Sequence, residues 1–186
     1  MITALAHKVA DFIYSSSDLS EDDRSIIAYG YEIIISTVIT FGLLIITGLV
    51  FNKLLEIAVF FLFFYVLRQR TGGYHADTYF KCNLIFEINL IIVMLLCCVE
   101  FPPNWLLLFN VLTFIACFVL IAVKAPIENK NKPIPLESRK KHKITAIVLI
   151  VIFEIITLCL FNYLNISFCI TMAMASTAVA MIIKSR

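Results

Sequence analysis

Residues 54–82 read LLEIAVFFLFFYVLRQRTGGYHADTYFKC. A mostly apolar run, 54–67, breaks at Arg68 and Arg70, passes through Gly72-Gly73, His75 and Cys82, and gives way to a second apolar run from residue 84. Apolar stretches stopped by arginines on one side and by Lys81 on the other read as two helices that leave hydrocarbon at one face of a membrane and are joined by a polar loop. That reading decides the fold of the sequence on either side.

With 61% hydrophobic and 15% charged residues and a mean hydropathy of +0.97, the chain is far more apolar than an ordinary soluble domain. It is expected to be an all-α, polytopic integral membrane protein with the lipid bilayer as its solvent and no nucleic-acid partner. Six apolar stretches are legible, at 33–51, 54–67, 84–99, 105–123, 144–161 and 166–183. Crossing ~30 Å of hydrocarbon takes roughly 20 helical residues, so the second and third are short. Snorkelling of Arg68 and Lys81, together with helices that continue into protein-buried polar backbone, is expected to make up the difference. The polar interval then sits at or slightly below the interface.

Charge placement tests the six-span reading independently. Lysine and arginine fall at 8 and 24, at 68, 70 and 81, at seven positions within 124–143, and at 184 and 186; only Lys53 lies elsewhere. With both termini inside, fourteen of the fifteen cations are cytoplasmic, as the positive-inside rule requires, and so is the His75/Cys82 loop.

No secretory signal peptide is expected, because residues 1–32 carry six acids and the first long apolar run begins at Ile33. Ile2, Leu5, Val9, Phe12 and Ile13 recur at helical spacing opposite Lys8 and Asp11, the pattern of an amphipathic helix on a membrane surface. Ser20 followed by Glu21, Asp22 and Asp23 marks an N-cap with acids in the first turn of the next helix. One membrane domain over 1–186 is expected, with an amphipathic region at 1–32, a functional loop at 68–82 and a basic loop at 124–143.

Of the six cysteines, 97, 98, 117, 159 and 169 lie in or beside apolar spans without CxxC spacing and read as small hydrophobes. Cys82 differs: it follows Lys81 at the start of a span, with His75 nearby. A nucleophilic cysteine must be a thiolate, which a histidine, a cation or a helix N-terminus each favours. On a straight helix residues 75 and 82 would be ~10 Å apart along the axis, so the segment must bend. Gly72 and Gly73 permit the bend, and their N–H groups are candidates to meet an oxyanion.

Two other readings of the pair stand at this point. His75 is equally an interfacial histidine bonded to backbone, and His75, Asp77 and Cys82 form a thin ligand set for a metal. With three ligands and no second histidine nearby, neither a metal nor another cofactor is expected. Asp77 and Glu87 are candidates to assist a Cys-His dyad, although Glu87 lies off the helical face of Cys82.

The unit RQRTGGYHADTYFKC at the junction of the second and third spans, followed downstream by KAPIENKNKP at 124–133, resembles the accessory gene regulator B family of bacterial quorum-sensing peptide processors. The resemblance extends over nearly the whole chain in length, span count and motif order. It implies a cell-membrane cysteine endopeptidase that removes the C-terminal tail of a short precursor peptide and promotes cyclisation of the remainder through a thioester. Carried onto this sequence, Cys82 is the nucleophile and His75 its general base.

The same resemblance implies a precursor with an amphipathic N-terminal part and an acidic tail. Opposite charge nominates Arg68, Arg70, Lys130 and Lys132 as its dock, against the simpler reading of positive-inside topology and anionic lipid contact. A homodimer is a reasonable assembly for a small polytopic enzyme. A proton-coupled transporter built on Glu56 and Glu154, or a noncatalytic membrane scaffold, are the alternatives; the first lacks matched Gly/Pro-broken helices and the second leaves His75 and Cys82 unexplained.

Overall fold

The computed structural model describes residues 2–15, 20–74, 76, 78–128 and 135–183, which form seven α-helices and no strand. In chain order they are α1 (Ile2–Ser15), α2 (Glu21–Phe51), α3 (Leu54–Thr71), α4 (Tyr79–Leu96), α5 (Pro103–Lys124), α6 (Leu136–Cys159) and α7 (Leu164–Ile182).

Local sequence sets the helix ends. Ser20 Oγ accepts the Asp23 N–H at 3.2 Å while the Asp23 carboxylate accepts the Ser20 N–H at 3.1 Å, a reciprocal capping box that starts α2. Asn52 takes the left-handed conformation (φ 53°) and closes α2; asparagine tolerates it better than most residues. Pro103 opens α5, where its missing N–H costs nothing.

The helices run beyond the apolar runs that announce them. The first span begins twelve residues before Ile33, and α3 carries Arg68 and Arg70 in its last turn. The two short spans become helices of 18 residues each, about 27 Å long at 1.5 Å per residue. The polar connection at 124–143 is also shorter than hydropathy suggests, because α6 starts at Leu136 and takes Lys140, Lys141 and Lys143 into its first turns. Hydropathy marks where a helix meets lipid, whereas caps mark where it ends.

Five helices, α2, α4, α5, α6 and α7, are long and apolar enough to cross a membrane. The sixth expected span corresponds to α3, which carries Glu56, Arg68 and Arg70 within its 18 residues and is not among the five. Two apolar clusters form the core. One joins α2, α3, α4 and α7 around Phe60, Leu90, Val93 and Met94, and the other joins α3, α5, α6 and α7 around Leu67, Ile121, Ile150 and Met174. The helices α3 and α7 belong to both and pack along each other. The inner face of α7 consists largely of small or hydroxyl residues, among them Ser167, Thr171, Ala173, Ser176 and Thr177, which let neighbouring backbones come close.

Outward faces are apolar, as at Val50, Leu62, Val119 and Ile155. Polar side chains instead face one another inside: Thr47 Oγ1 donates to Glu87, Asn89 pairs with Ser176 at 3.2 Å, and Asn110 Nδ2 donates to Glu154 (3.2 Å) and to Thr171 Oγ1 (2.9 Å). Lys53, the one cation outside the positive-inside pattern, pairs with Glu56 at 3.6 Å. The glutamates thus face protein partners, as ionisable groups in an apolar bundle are expected to. Helix α1, about 21 Å long, is too short to cross. It packs on the start of α2 through Ala6, Ala10 and Ala28, is tied there by Asp11–Arg24 (2.5 Å), and turns Leu5 and Phe12 outward.

Candidate functional site

The chain leaves α3 through two glycines with positive φ, +69° at Gly72 and +116° at Gly73. Their role exceeds bending. The Ile127 N–H donates to Thr71 O at 2.8 Å and the Gly73 N–H to Ile127 O at 3.2 Å, so the loop forms a parallel bridge with the segment that follows α5. The next N–H, from Tyr74, donates to Ala180 O near the end of α7 at 2.8 Å. A Cβ at Gly72 would lie 2.1 Å from Ile127 O, and one at Gly73 would lie 2.6 Å from Ala180 O. Both obstacles are backbone, which no rotamer change relieves. The two glycines therefore let α3, the post-α5 segment and α7 meet at one point.

Arg68 locks that junction from within. Its Nη2 donates to Tyr74 O, its guanidinium lies 5.8 Å over the Phe64 ring, and its Nη1 is buried beside Gly73 without a hydrogen-bond partner among the described residues. Arg70, half-buried in the same turn, makes no ion pair among the described residues.

On the far side of the loop Thr78 caps α4: its Oγ1 accepts the Lys81 N–H at 3.3 Å and its carbonyl accepts the Cys82 N–H at 3.0 Å. Cys82 therefore sits in the first turn of α4 as a free, exposed thiol, where the helix dipole favours negative charge. The loop is held on one side at Tyr74 and on the other at Thr78, four residues before the thiol.

His75, Asp77, Lys130 and Lys132 lie outside the described residues. Among those described, no cluster of three or more His, Cys, Asp or Glu is arranged to hold a metal. Glu87 is bonded to Thr47 of α2, and Glu128 pairs with Arg139 across the basic connection, which occupies one of its cations. The sequence points to both RQRTGGYHADTYFKC and KAPIENKNKP; their direct contact through Ile127 and the share of Ala180 do not follow from either motif. Thr78 was findable, since a threonine two residues after Ala76 and directly before Tyr79 is a ready N-cap.

Residues 6–183 match the model of the family described as Accessory gene regulator B. An AgrB-like protein of Clostridium perfringens strain 13 is 29% identical over 146 residues, covering 76% of this chain and 68% of that protein. The accessory gene regulator protein B of Staphylococcus aureus strain Newman is 39% identical over 95 residues, 51% of this chain and 49% of its own. That of Staphylococcus carnosus is 30% identical over 122 residues, 65% of this chain and 60% of its own. No solved structure gives a significant match.

Proposed function

The chain belongs to the accessory gene regulator B family, and from that premise we propose that it is a membrane cysteine endopeptidase that trims a short quorum-sensing precursor peptide and promotes cyclisation of the remainder. The observation that carries the reading is the exposed Cys82 thiol in the first turn of α4, next to a loop held at Tyr74 and Thr78.

His75 takes the Cys82 proton, and Sγ attacks the scissile carbonyl. The carbon–nitrogen bond breaks, the imidazolium proton goes to the departing amine of the tail, and the N-terminal part remains as a thioester on Cys82. A thiol or hydroxyl within that part then attacks the thioester carbon, closes the ring and returns Cys82 to the thiol. A thiol exchanges one thioester for another at little cost, whereas water destroys the activated bond, so the site must hold the internal nucleophile close and keep water out. Gly73 N–H is already bonded to Ile127 and Tyr74 N–H to Ala180, so backbone N–H groups at these positions are structural. Nη1 of Arg68, buried beside Gly73 without a hydrogen-bond partner among the described residues, is the candidate donor to a developing oxyanion in this reading.

Arg70, Lys130 and Lys132 receive the acidic tail in this reading, with Arg70 suited to bidentate carboxylate contacts. Charge supports the placement in the bacterial cell membrane: Arg68, Arg70, Lys81, Lys124 and the α6 lysines collect at one end of the bundle, which the positive-inside rule assigns to the cytoplasm with both termini. On this reading α3 completes six passes.

The test is release of the tail from a candidate precursor, encoded next to this gene, by the purified protein. Cys82→Ala and His75→Ala each abolish release while leaving helicity unchanged. Persistence of cleavage in Cys82→Ala overturns the peptidase mechanism. A transporter would tolerate Cys82→Ala and depend on Glu154.

A further inference from the structure

At the end of the bundle opposite Cys82, the turns following α2, α4 and α6 surround a cavity of about 860 Å³ lined in part by Lys53, Glu56, Cys97, Cys98, Glu100 and Tyr163. Its volume is in the range of small-molecule sites. Cys97 closes α4 and forms part of its wall. Behind it lies Cys169 of α7, fully buried, with the two sulfurs 3.5 Å apart. The Lys53–Glu56 pair lines the same cavity as Cys97. The sequence offers no sign of this pairing: the two cysteines are separated by 72 positions and read as small hydrophobes.

We propose that Cys97 and Cys169 are a redox modification site that takes a low-molecular-weight disulfide at this cavity and converts it to an intramolecular disulfide between α4 and α7. The geometry gives each thiol a separate role. Cys97, at the cavity wall and near the Lys53 ammonium, loses its proton to solvent and attacks one sulfur of the small disulfide, forming a mixed disulfide and releasing one small thiolate. Cys169 then loses its proton and attacks the Cys97 sulfur, releasing the second small thiolate. Two protein thiols are oxidised, one small disulfide is reduced to two thiols, and the two protons pass to the departing thiolates. Bond formation requires the sulfurs to close from 3.5 Å to about 2.0 Å. Cys98, the next residue, is exposed and shows no sulfur contact among the described residues, so a mixed disulfide is the product expected there.

The bridge would fasten the two helices whose other ends build the proposed catalytic site, since α4 begins beside Cys82 and α7 supplies the Ala180 carbonyl to Tyr74. The chemistry of the thiol pair does not depend on the peptidase reading.

Full-length protein in detergent, incubated with oxidised glutathione, then denatured, alkylated and digested without reduction, tests the site by mass spectrometry. The expected product is a peptide linked through Cys97 and Cys169, with two thiols lost to alkylation. The link persists in Cys98→Ser and disappears in Cys97→Ser and Cys169→Ser. Wild-type protein that keeps both thiols alkylatable, or a link that disappears in Cys98→Ser, overturns the proposal. Because Cys98→Ser alters an exposed side chain outside the core, its outcome does not hinge on refolding a buried position.

Discussion

Gly72 and Gly73 carry a heavier demand than their position in a turn would suggest. Positive φ alone costs a side-chain-bearing residue about 1–2 kcal/mol, and at both positions a Cβ would also meet a carbonyl oxygen at 2.1 or 2.6 Å. Gly72→Ala and Gly73→Ala are therefore expected to reduce tail release by at least about tenfold, the equivalent of ~1.4 kcal/mol in the barrier, with far-ultraviolet circular dichroism unchanged. Wild-type rates in either variant would show that the junction with Ile127 and Ala180 is dispensable. Arg68 gives a companion prediction. Lysine keeps the charge but cannot reproduce a planar group that bonds Tyr74 O while covering Phe64, so Arg68→Lys loses about tenfold or more in kcat at nearly constant KM. A pure rise in KM would return Arg68 to tail binding alone.

Among the elements, α4 bears most directly on the chemistry, because its first turn holds Cys82 and its cap is one threonine. Thr78→Ala removes the Oγ1 acceptor of the Lys81 N–H, a loss of about 1 kcal/mol in the local stability of that turn. Hydrogen exchange at residues 81–83 should quicken and tail release should slow, with Thr78→Ser restoring both. Much of this element was legible in advance: the run from residue 84, the cation before it and the placement of Cys82 at a helix start all follow from hydropathy and charge. The packing of its polar residues was not. Asn83 meets Ser36 and Thr40 of α2, Glu87 meets Thr47, and Asn89 meets Ser176 of α7, four contacts set by helix rotation that single-sequence periodicity does not resolve in a span apolar on every side. The docking of Ile127 on the loop escaped for a similar reason, since a backbone bridge between residues 55 positions apart leaves no side-chain pattern.

Over the whole molecule the loops gather at two ends, the basic one bearing Cys82 and the opposite one bearing Lys53, Cys98 and Tyr163. With the basic end in the cytoplasm, a membrane-impermeant maleimide applied to intact cells labels Cys98 and spares Cys82, whereas permeabilised cells expose both. Labelling of Cys82 from outside would reverse the orientation. The interior makes its own demand: Asn110 joins α5 to Glu154 of α6 and Thr171 of α7 inside the bundle. Asn110→Leu leaves Glu154 without that donor and is expected to cost about 1–3 kcal/mol, read as a lowered thermal midpoint in detergent.

The expectations about tail release depend on Cys82 carrying the acyl group. Intact-mass spectrometry of the protein quenched in acid during turnover of the precursor measures that directly. The peptidase mechanism predicts an adduct with the mass of the precursor's N-terminal part, located on Cys82, removed by neutral hydroxylamine and absent from Cys82→Ala. Tail release that proceeds with no adduct in wild type and survives in Cys82→Ala contradicts it.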